Sequence, residues 1–222
     1  MRCRPGTAPC EHREVRPHIL SDDVVTLSPP VFADCDAIAE ACQDPEVAAW
    51  TTVPSPYLPE HARGFVTHVQ DAWALVRSNP PAGLEVEATW AVRQGGSEAP
   101  VAGMVGLRLE GTGSAELGYW LAPHDRGRGL MRRAALLALD FGFAPDGLDL
   151  ERVAWQAFVG NWASWSVAWR CGFTFEGQVR GHGLQRGKRR DAWLGTLLRD
   201  DPREPRAPWP GTALVAPTPP EG

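Results

Sequence analysis

Two arginines and two glycines alternate in the middle of this chain, as Arg126-Gly127-Arg128-Gly129. Glycine lets the backbone bend sharply and approach a ligand closely. The amides that begin a helix have no partner within that helix, and the helix dipole adds a partial positive charge there. If a helix follows the turn, these features predict an anion site that suits a phosphorylated ligand. The alternative is a plain turn with two solvated arginines.

This motif differs from two common phosphate-binding signatures. A Walker loop requires Lys followed by Ser or Thr after its last glycine, where this chain has Leu130-Met131. The dinucleotide fingerprint requires a third glycine, where this chain has Arg132. We therefore expect the backbone amides of 126–131, with the side chains of Arg126 and Arg128, to bind a phosphorylated ligand in another type of loop.

Two further residues are candidates for proton transfer. Glu116 lies two residues before Gly118, and a partly buried glutamate can accept a proton from a bound substrate, directly or through water. A solvated or ion-paired glutamate is the alternative. Ser164 is the third helical residue if Asn161 caps the helix, which brings its hydroxyl to the helix mouth as a proton donor. A serine merely tolerated at a helix start is the alternative there.

The elements that position these residues follow from hydrophobic periodicity. Apolar and polar residues alternate over 115–121, which predicts a half-buried strand that Pro123 ends. Apolar residues at spacings of three and four from Leu130 to Phe141 predict a helix directly after the glycine turn. The motif at 126–129 is thus a tight turn between a predicted strand and a predicted helix.

Similar patterns divide the rest of the chain. The predicted strands lie at 24–27, 89–93, 101–109, 152–157, 174–179 and 190–198. The predicted helices lie at 31–43, at 60–77 and after Asn161 up to Gly172. Prolines make 47–57 a loop with about one helical turn, and a basic loop over 180–189 joins the last two strands.

Length and composition predict one domain. A chain of 222 residues with 43% hydrophobic content can bury a single good core. We expect a flexible leader at 1–17, the folded domain at 18–200 and a disordered tail at 201–222, where seven of the 21 prolines lie.

Charge and cysteine content exclude several classes of protein. A net charge of −5 argues against a general nucleic-acid binder. The sequence contains neither a long apolar run typical of a membrane span nor a secretory signal. Its five cysteines form no CxxC pair and no metal-ligand cluster. We expect a cytoplasmic protein with reduced thiols and no metal, either a monomer or a homodimer.

Several motifs occur in a characteristic order between about 101 and 198. They are Gly118-Tyr119-Trp120, the loop at 126–129, Asn161-x-x-Ser164 and Gly172-Phe173-x-x-Glu176-Gly177. This series resembles the GNAT superfamily of N-acetyltransferases, in particular its ribosomal-protein (RimJ/RimL-type) branch. The resemblance implies an α/β (α+β) GNAT fold: a mixed, strongly twisted central sheet flanked by helices, in which two splayed parallel strands hold acetyl-CoA.

The resemblance also implies roles for individual residues. Acetyl-CoA binding is assigned to Tyr119, Trp120, Leu121, Arg126, Gly127, Arg128, Gly129, Leu130, Met131, Asn161 and Ser164. A backbone N–H near Tyr119 or Trp120 is the candidate oxyanion donor. Glu116 and Ser164 are the candidate catalytic base and acid. Trp50, Thr51 and Tyr57, in the loop expected above the acceptor, are the candidate substrate contacts.

The predicted reaction is direct attack of a primary amine on the thioester, without a covalent enzyme intermediate. The acceptor is either the α-amino group of a protein or peptide, or the amine of a small molecule such as an antibiotic, polyamine or metabolite, because fold does not fix substrate. The acyl group is acetyl or larger. A non-catalytic regulator that binds acyl-CoA is the alternative from another class.

Overall fold

A computed structural model describes residues 19–77, 86–111 and 113–209 of the chain. Its strands are β1 (Leu20–Ser21), β2 (Val25–Ser28), β3 (Val86–Gln94), β4 (Val101–Leu109), β5 (Ser114–Leu121), β6 (Arg152–Phe158), β7 (Thr174–Gln185) and β8 (Lys188–Leu198). Its helices are α1 (Cys35–Cys42), α2 (Pro45–Trp50), α3 (Pro59–Arg77), α4 (Leu130–Phe143) and α5 (Trp162–Arg170). In the described residues, no helix is long and apolar enough to cross a membrane.

The eight strands form one sheet in the order β1-β2-β3-β4-β5-β6-β8-β7. Neighbouring strands are antiparallel except β5 and β6, which are parallel. These two strands pair only from Ser114 to Leu117 on β5 and from Arg152 to Trp155 on β6. We call this contact the β5–β6 seam. The mixed sheet flanked by helices, with two parallel strands that separate, confirms the predicted fold class.

Each face of the sheet carries its own hydrophobic cluster. Successive side chains on a strand point to opposite faces, and on β3 Trp90 belongs to one cluster while Ala91 belongs to the other. The larger cluster packs α4, α5 and the second half of α3 on one face. The smaller packs α1, α2 and the first half of α3 on the other. We refer to these as the α5 face and the α2 face.

The predicted loop at 180–189 is wrong, because β7 and β8 continue to a turn at Arg186-Gly187. Both turn residues have positive φ, 48° and 77°, as a two-residue hairpin turn with the twist of the strands requires. The many polar residues and glycines of this stretch hide the strand pattern. The prediction of about one helical turn within 47–57 agrees with α2, which ends at Trp50.

The two chain ends are described only in part. The predicted leader at 1–17 lies outside the described residues, and so do residues 210–222 of the predicted tail. Residues 201–209 lie against α5, where Trp169 Nε1 donates to the Ala207 carbonyl at 3.0 Å. The Trp209 ring stands edge-on to that of Trp169, with centroids 5.1 Å apart. Packed structure therefore continues past the predicted boundary at 200.

Candidate active site

A cleft of about 1050 Å³ lies where β5 and β6 separate. Most residues that the sequence singled out line it: Trp50, Thr51, Glu116, Tyr119, Trp120, Leu121, Arg126, Gly127, Gly129, Leu130, Met131, Asn161 and Ser164. Arg128 and Tyr57 are not among the lining residues. The seam thus brings together the predicted coenzyme loop, both catalytic candidates and part of the predicted acceptor site.

The coenzyme loop, residues 126–131, has the backbone shape that its glycines predict. Gly127 and Gly129 have φ of 74° and 76°, a region that other residues adopt only at a cost. A Cβ added to either glycine would meet no atom within 4 Å, so the space in front of the loop is open. Gly129 directly precedes α4, whose first amides have no partner within the helix. The loop therefore fits the diphosphate of a coenzyme.

The two arginines of the loop have different environments. Arg126 lines the cleft; its guanidinium pairs with Asp44 at 2.7 Å and its Nε donates to the Leu121 carbonyl at 3.2 Å. Arg128 points instead to Asp125, at 3.0 Å, and to Gln94. The expectation that the Arg128 side chain holds the diphosphate therefore finds no support, because its two partners keep it beside β3.

Two cations that the sequence analysis did not select also line the cleft, Arg132 and Arg170. Arg132 Nε donates to the Arg170 carbonyl at 3.2 Å, which joins the first turn of α4 to the end of α5. From the helical spacing alone, Arg132 lies outside the apolar stripe of α4 and is an ordinary surface residue. Only the packing of α4 beside α5 places both guanidinium groups at the coenzyme end of the cleft.

Glu116 is held by two neighbouring strands. Arg108 on β4 pairs with its Oε2 at 2.7 Å, and Gln156 on β6 donates to its Oε1 at 3.0 Å. Burial raises the pKa of Glu116, against the opposing effects of Arg108 and Gln156. The side chain is 18% exposed, so the carboxylate is both placed and reachable from the cleft. Neither partner could be predicted from the local sequence, because the register of the strands selects them.

Ser164 lies in a network of polar groups at the start of α5. Its amide donates to the capping Asn161 at 3.1 Å, as predicted. Its hydroxyl accepts a hydrogen bond from Trp155 Nε1 at 3.0 Å and donates to the Tyr119 hydroxyl at 3.2 Å. Tyr119 in turn donates to the Ser164 carbonyl at 2.8 Å. Burial raises the pKa of Tyr119, which therefore stays protonated.

The two catalytic candidates lie on opposite faces of the sheet. On β5, Glu116 shares the α2 face with Trp120, whereas Tyr119 points to the α5 face, towards Ser164. The gap beyond the β5–β6 seam connects the two faces. A reacting group in this gap would have a carboxylate on one side and a hydroxyl on the other.

Strand geometry also selects the backbone amide that faces the gap. The Ala122 amide donates to the Ala102 carbonyl on β4 at 2.8 Å. Backbone groups alternate in direction along a strand, so the Trp120 amide faces β4 as well. The amides of Tyr119 and Leu121 then face the gap. Of the two predicted oxyanion donors, Tyr119 is the one that the strand geometry favours.

The predicted acceptor residues separate into two groups. Trp50 and Thr51, at the end of α2, line the cleft. Tyr57 is 7% exposed and packs in the smaller cluster, with its ring 5.5 Å from that of His61. Its assignment to substrate contact is therefore not supported, because a buried core position keeps it away from the cleft. Among the described residues, no group of three or more potential ligands could hold a metal ion.

Comparison with known sequences identifies a protein family and a curated relative. A family model described as an acetyltransferase (GNAT) domain matches residues 25–174. YdaF of Bacillus subtilis, a proposed ribosomal N-acetyltransferase, is 36% identical over 85 residues, which cover 38% of this chain. The matched stretch spans 45% of the length of that relative.

Comparison with solved structures supports the same fold. A proposed ribosomal-protein-serine acetyltransferase from Vibrio cholerae superposes with a TM-score of 0.68 at 18% identity, covering 83% of this chain and 99% of that one. RimL, described as a ribosomal L7/L12 α-N-protein acetyltransferase in complex with coenzyme A, gives 0.65 at 20% identity, covering 82% and 98%. The sheet with one parallel seam, the glycine loop before α4 and the family match agree, and the chain belongs to the GNAT acetyltransferase family, whose members use acetyl-CoA.

Proposed function

We propose that this protein transfers an acetyl group from acetyl-CoA to a primary amine, the α-amino group of a protein or peptide, by direct attack of the amine. One observation carries the proposal: Glu116, within the β5–β6 seam, and Ser164, at the start of α5, line the same cleft as the coenzyme loop from opposite faces of the sheet. Acetyl-CoA supplies the acetyl group as a thioester.

Each residue of the cleft then has a defined task. The amides of the coenzyme loop and the Arg126 side chain bind the diphosphate. The Tyr119 amide stabilises the negative charge that develops on the carbonyl oxygen. Glu116 accepts the proton of the attacking amine on the α2 face. The Ser164 hydroxyl, which accepts a hydrogen bond from Trp155, turns its own hydrogen from Tyr119 to the departing sulfur on the α5 face and stabilises the thiolate, which takes its proton from solvent.

The cysteines of the described residues support a mechanism without a covalent intermediate. Cys35, Cys42 and Cys171 are all buried. Burial raises the pKa of Cys171 to about 12, so its reactive thiolate form is scarce at neutral pH. None of the three lines the cleft. An amine that attacks the thioester directly requires no such nucleophile.

The protein or peptide acceptor rests on the relatives, since all three of those described above are named for ribosomal-protein acetylation. A different observation favours a small cationic amine as the second candidate. Three carboxylates line the cleft, those of Glu46, Glu87 and Glu116, and negative side chains attract ammonium groups. Both candidates use the same coenzyme loop and the same proton transfers.

A panel of acceptors tests the proposal. Purified protein is incubated with acetyl-CoA and either hexapeptides with free N-terminal serine or alanine, or spermidine and an aminoglycoside, and products are identified by mass. Acetylation of a peptide α-amine, lost in Ser164→Ala without loss of acetyl-CoA binding by calorimetry, supports it. Acetylation of the small amines alone establishes the second candidate. Binding of acetyl-CoA with no product over the panel would point to a regulator and overturn the proposal.

A further inference from the structure

The helix α2 forms one wall of the cleft although it is very short. It spans Pro45–Trp50, six residues, and three of them line the cleft: Glu46, Val47 and Trp50. Helices of this length are unstable alone and depend on tertiary contacts. The carbonyls of the last turn have no partner within a helix and need one elsewhere. The position of this wall therefore depends on what binds the end of α2.

Gln185, at the end of β7, supplies much of that support. Its side-chain amide donates to the carbonyls of Ala48, Ala49 and Thr51, at 3.2, 3.0 and 2.6 Å. The residue is only 9% exposed, although it lies next to the hairpin turn. A buried amide that faces three carbonyls of one helix end acts as a cap contributed from another element.

Two arginines of the same hairpin reinforce this contact. Arg190 donates to the Ala49 carbonyl and to Gln185 Oε1, both at 2.8 Å. Arg186 donates to the Ala48 carbonyl at 2.9 Å. Positive charge at a helix C-terminus is favourable because the helix dipole is negative there. We call the set formed by Gln185, Arg186 and Arg190 the hairpin clamp.

The hairpin clamp also fixes the aromatic side chain of the wall. The Arg190 guanidinium lies 5.3 Å from the Trp50 ring and 4.3 Å from that of Phe158. Gly160 directly precedes Asn161, the cap of α5. A Cβ added to Gly160 would lie 3.4 Å from the Trp50 ring. Trp50 therefore extends from α2 to the start of α5, and its stack with Arg190 fixes its place over the cleft.

We propose that Gln185 and Arg190 are positioning residues for the acceptor amine, which they serve by holding α2 and Trp50 as a wall of the cleft. This inference rests on the proposed function, since it assigns the α2 side of the cleft to the acceptor. The clamp contacts neither the coenzyme loop nor Ser164. The contact of α2 with the loop, between Asp44 and Arg126, lies at the opposite end of the helix. Loss of the clamp therefore weakens acceptor binding and leaves acetyl-CoA binding nearly unchanged.

The test compares the wild-type chain with Gln185→Ala, Gln185→Glu and Arg190→Ala. Gln185→Glu is nearly isosteric but turns a carboxylate towards three carbonyls. Lys188→Ala is the matched control. Lys188 is exposed and lies beside the same turn, and its replacement removes the same charge as Arg190→Ala. The measurements are KM and kcat for a hexapeptide with N-terminal serine, the Kd of acetyl-CoA by calorimetry, and hydrogen exchange of the amides at 48–53.

We expect the three clamp variants to raise the peptide KM about tenfold, as loss of one or two hydrogen bonds implies. The Kd of acetyl-CoA stays within about twofold of wild type, which also shows that the variants fold. Exchange at 48–53 accelerates in the clamp variants and not in Lys188→Ala. Unchanged exchange, or a KM that matches the Lys188→Ala control, overturns the inference. If no peptide is acetylated, the proposed function fails, while the exchange data still decide whether the clamp holds α2.

Discussion

Glu116 is a largely buried carboxylate whose charged form is nevertheless stabilised by its neighbours. Burial raises its pKa, while Arg108 and Gln156 keep the charged form stable enough to exist. A base with a raised pKa accepts a proton more readily than an ordinary glutamate. The protonated form, in contrast, cannot accept a proton at all. The ionisation of this one side chain should therefore set the acid limit of activity.

This reasoning predicts the pH dependence of the enzyme. In wild type, kcat/KM should fall as the pH drops through a Glu116 pKa above the ordinary value of 4.5, because protonation removes the base. Glu116→Gln should lower kcat/KM about a hundredfold and remove that acid limb. Glu98→Gln, an exposed change of equal charge in the β3–β4 turn, is the control and should keep both. An acid limb that survives in Glu116→Gln would show that another group accepts the proton.

At the scale of elements, turns and short helices place the reactive groups. Gly129 adopts the left-handed conformation directly before α4. Asp44 caps α2 by accepting a hydrogen bond from the Val47 amide at 3.0 Å. Asp44 also pairs with Arg126 of the coenzyme loop. Partial burial raises the pKa of Asp44, but its contacts with Arg126 and Val47 outweigh this and lower it. One carboxylate thus caps the start of α2 and joins that helix to the loop.

Comparison of Gly129→Ala with Gly111→Ala should separate the effect of backbone strain on stability from the effect of the added methyl group on acetyl-CoA binding. Gly129 and Gly111 have φ of 76° and 80°, and at both an added Cβ would meet no protein atom within 4 Å. Both alanine variants should lose about 1–2 kcal/mol of stability to left-handed strain. Only Gly129→Ala should also weaken acetyl-CoA binding, because its Cβ occupies the space before the loop. Calorimetry and thermal unfolding of the pair check this; equal coenzyme affinities would contradict it.

Replacement of Asp44 by Asn should tighten acetyl-CoA binding. Asparagine caps a helix as well as aspartate does, so α2 is retained, while the charge that neutralises Arg126 is lost. Arg126 keeps its bonds to the Leu121 carbonyl. An ion pair this exposed is worth up to about 1 kcal/mol, so the Kd should fall by up to about fivefold at low salt. Asp23→Asn, an exposed change of equal charge, should have no effect, and weaker binding in Asp44→Asn would refute the argument.

At the scale of the whole molecule, a buried ion pair joins the α2 face to the sheet. Arg93 on β3 is 3% exposed and donates to both oxygens of Asp34, at 3.0 and 2.7 Å. Its Nε donates to the Ser28 hydroxyl at 2.9 Å. Asp34 directly precedes α1, so the pair fixes how the first helix meets the sheet.

Loss of one partner should leave a buried charge without its counterpart. Arg93→Ala or Asp34→Ala should each lower the free energy of unfolding by about 3–5 kcal/mol. The double variant should lose less than the sum of the two, because no unpaired charge remains. Denaturant unfolding of all four proteins measures the cycle. Additive losses would mean that the two side chains act independently.

Local signals explain why part of this site was predictable. A glycine that needs positive φ and a cap that bonds three residues ahead both act within a few positions, so the coenzyme loop and the Asn161–Ser164 contact follow from the sequence. The partners of the reactive groups do not, since Gln156 is 40 residues from Glu116 and Asp44 is 82 from Arg126. Only the strand register and the packing of α2 bring them together.

The β5–β6 seam divides the sheet into a five-stranded part and a three-stranded part that four residue pairs join. A coenzyme bound in the gap, as we propose, would contact both parts and supply some of the links that the missing ladder would have made. Ligands that bind only the folded state stabilise it. The acyl donor would therefore also stabilise the contact between the two parts of the sheet. Release of coenzyme A after each turnover would then remove these links between the two parts of the sheet, and binding of the next acetyl-CoA would restore them.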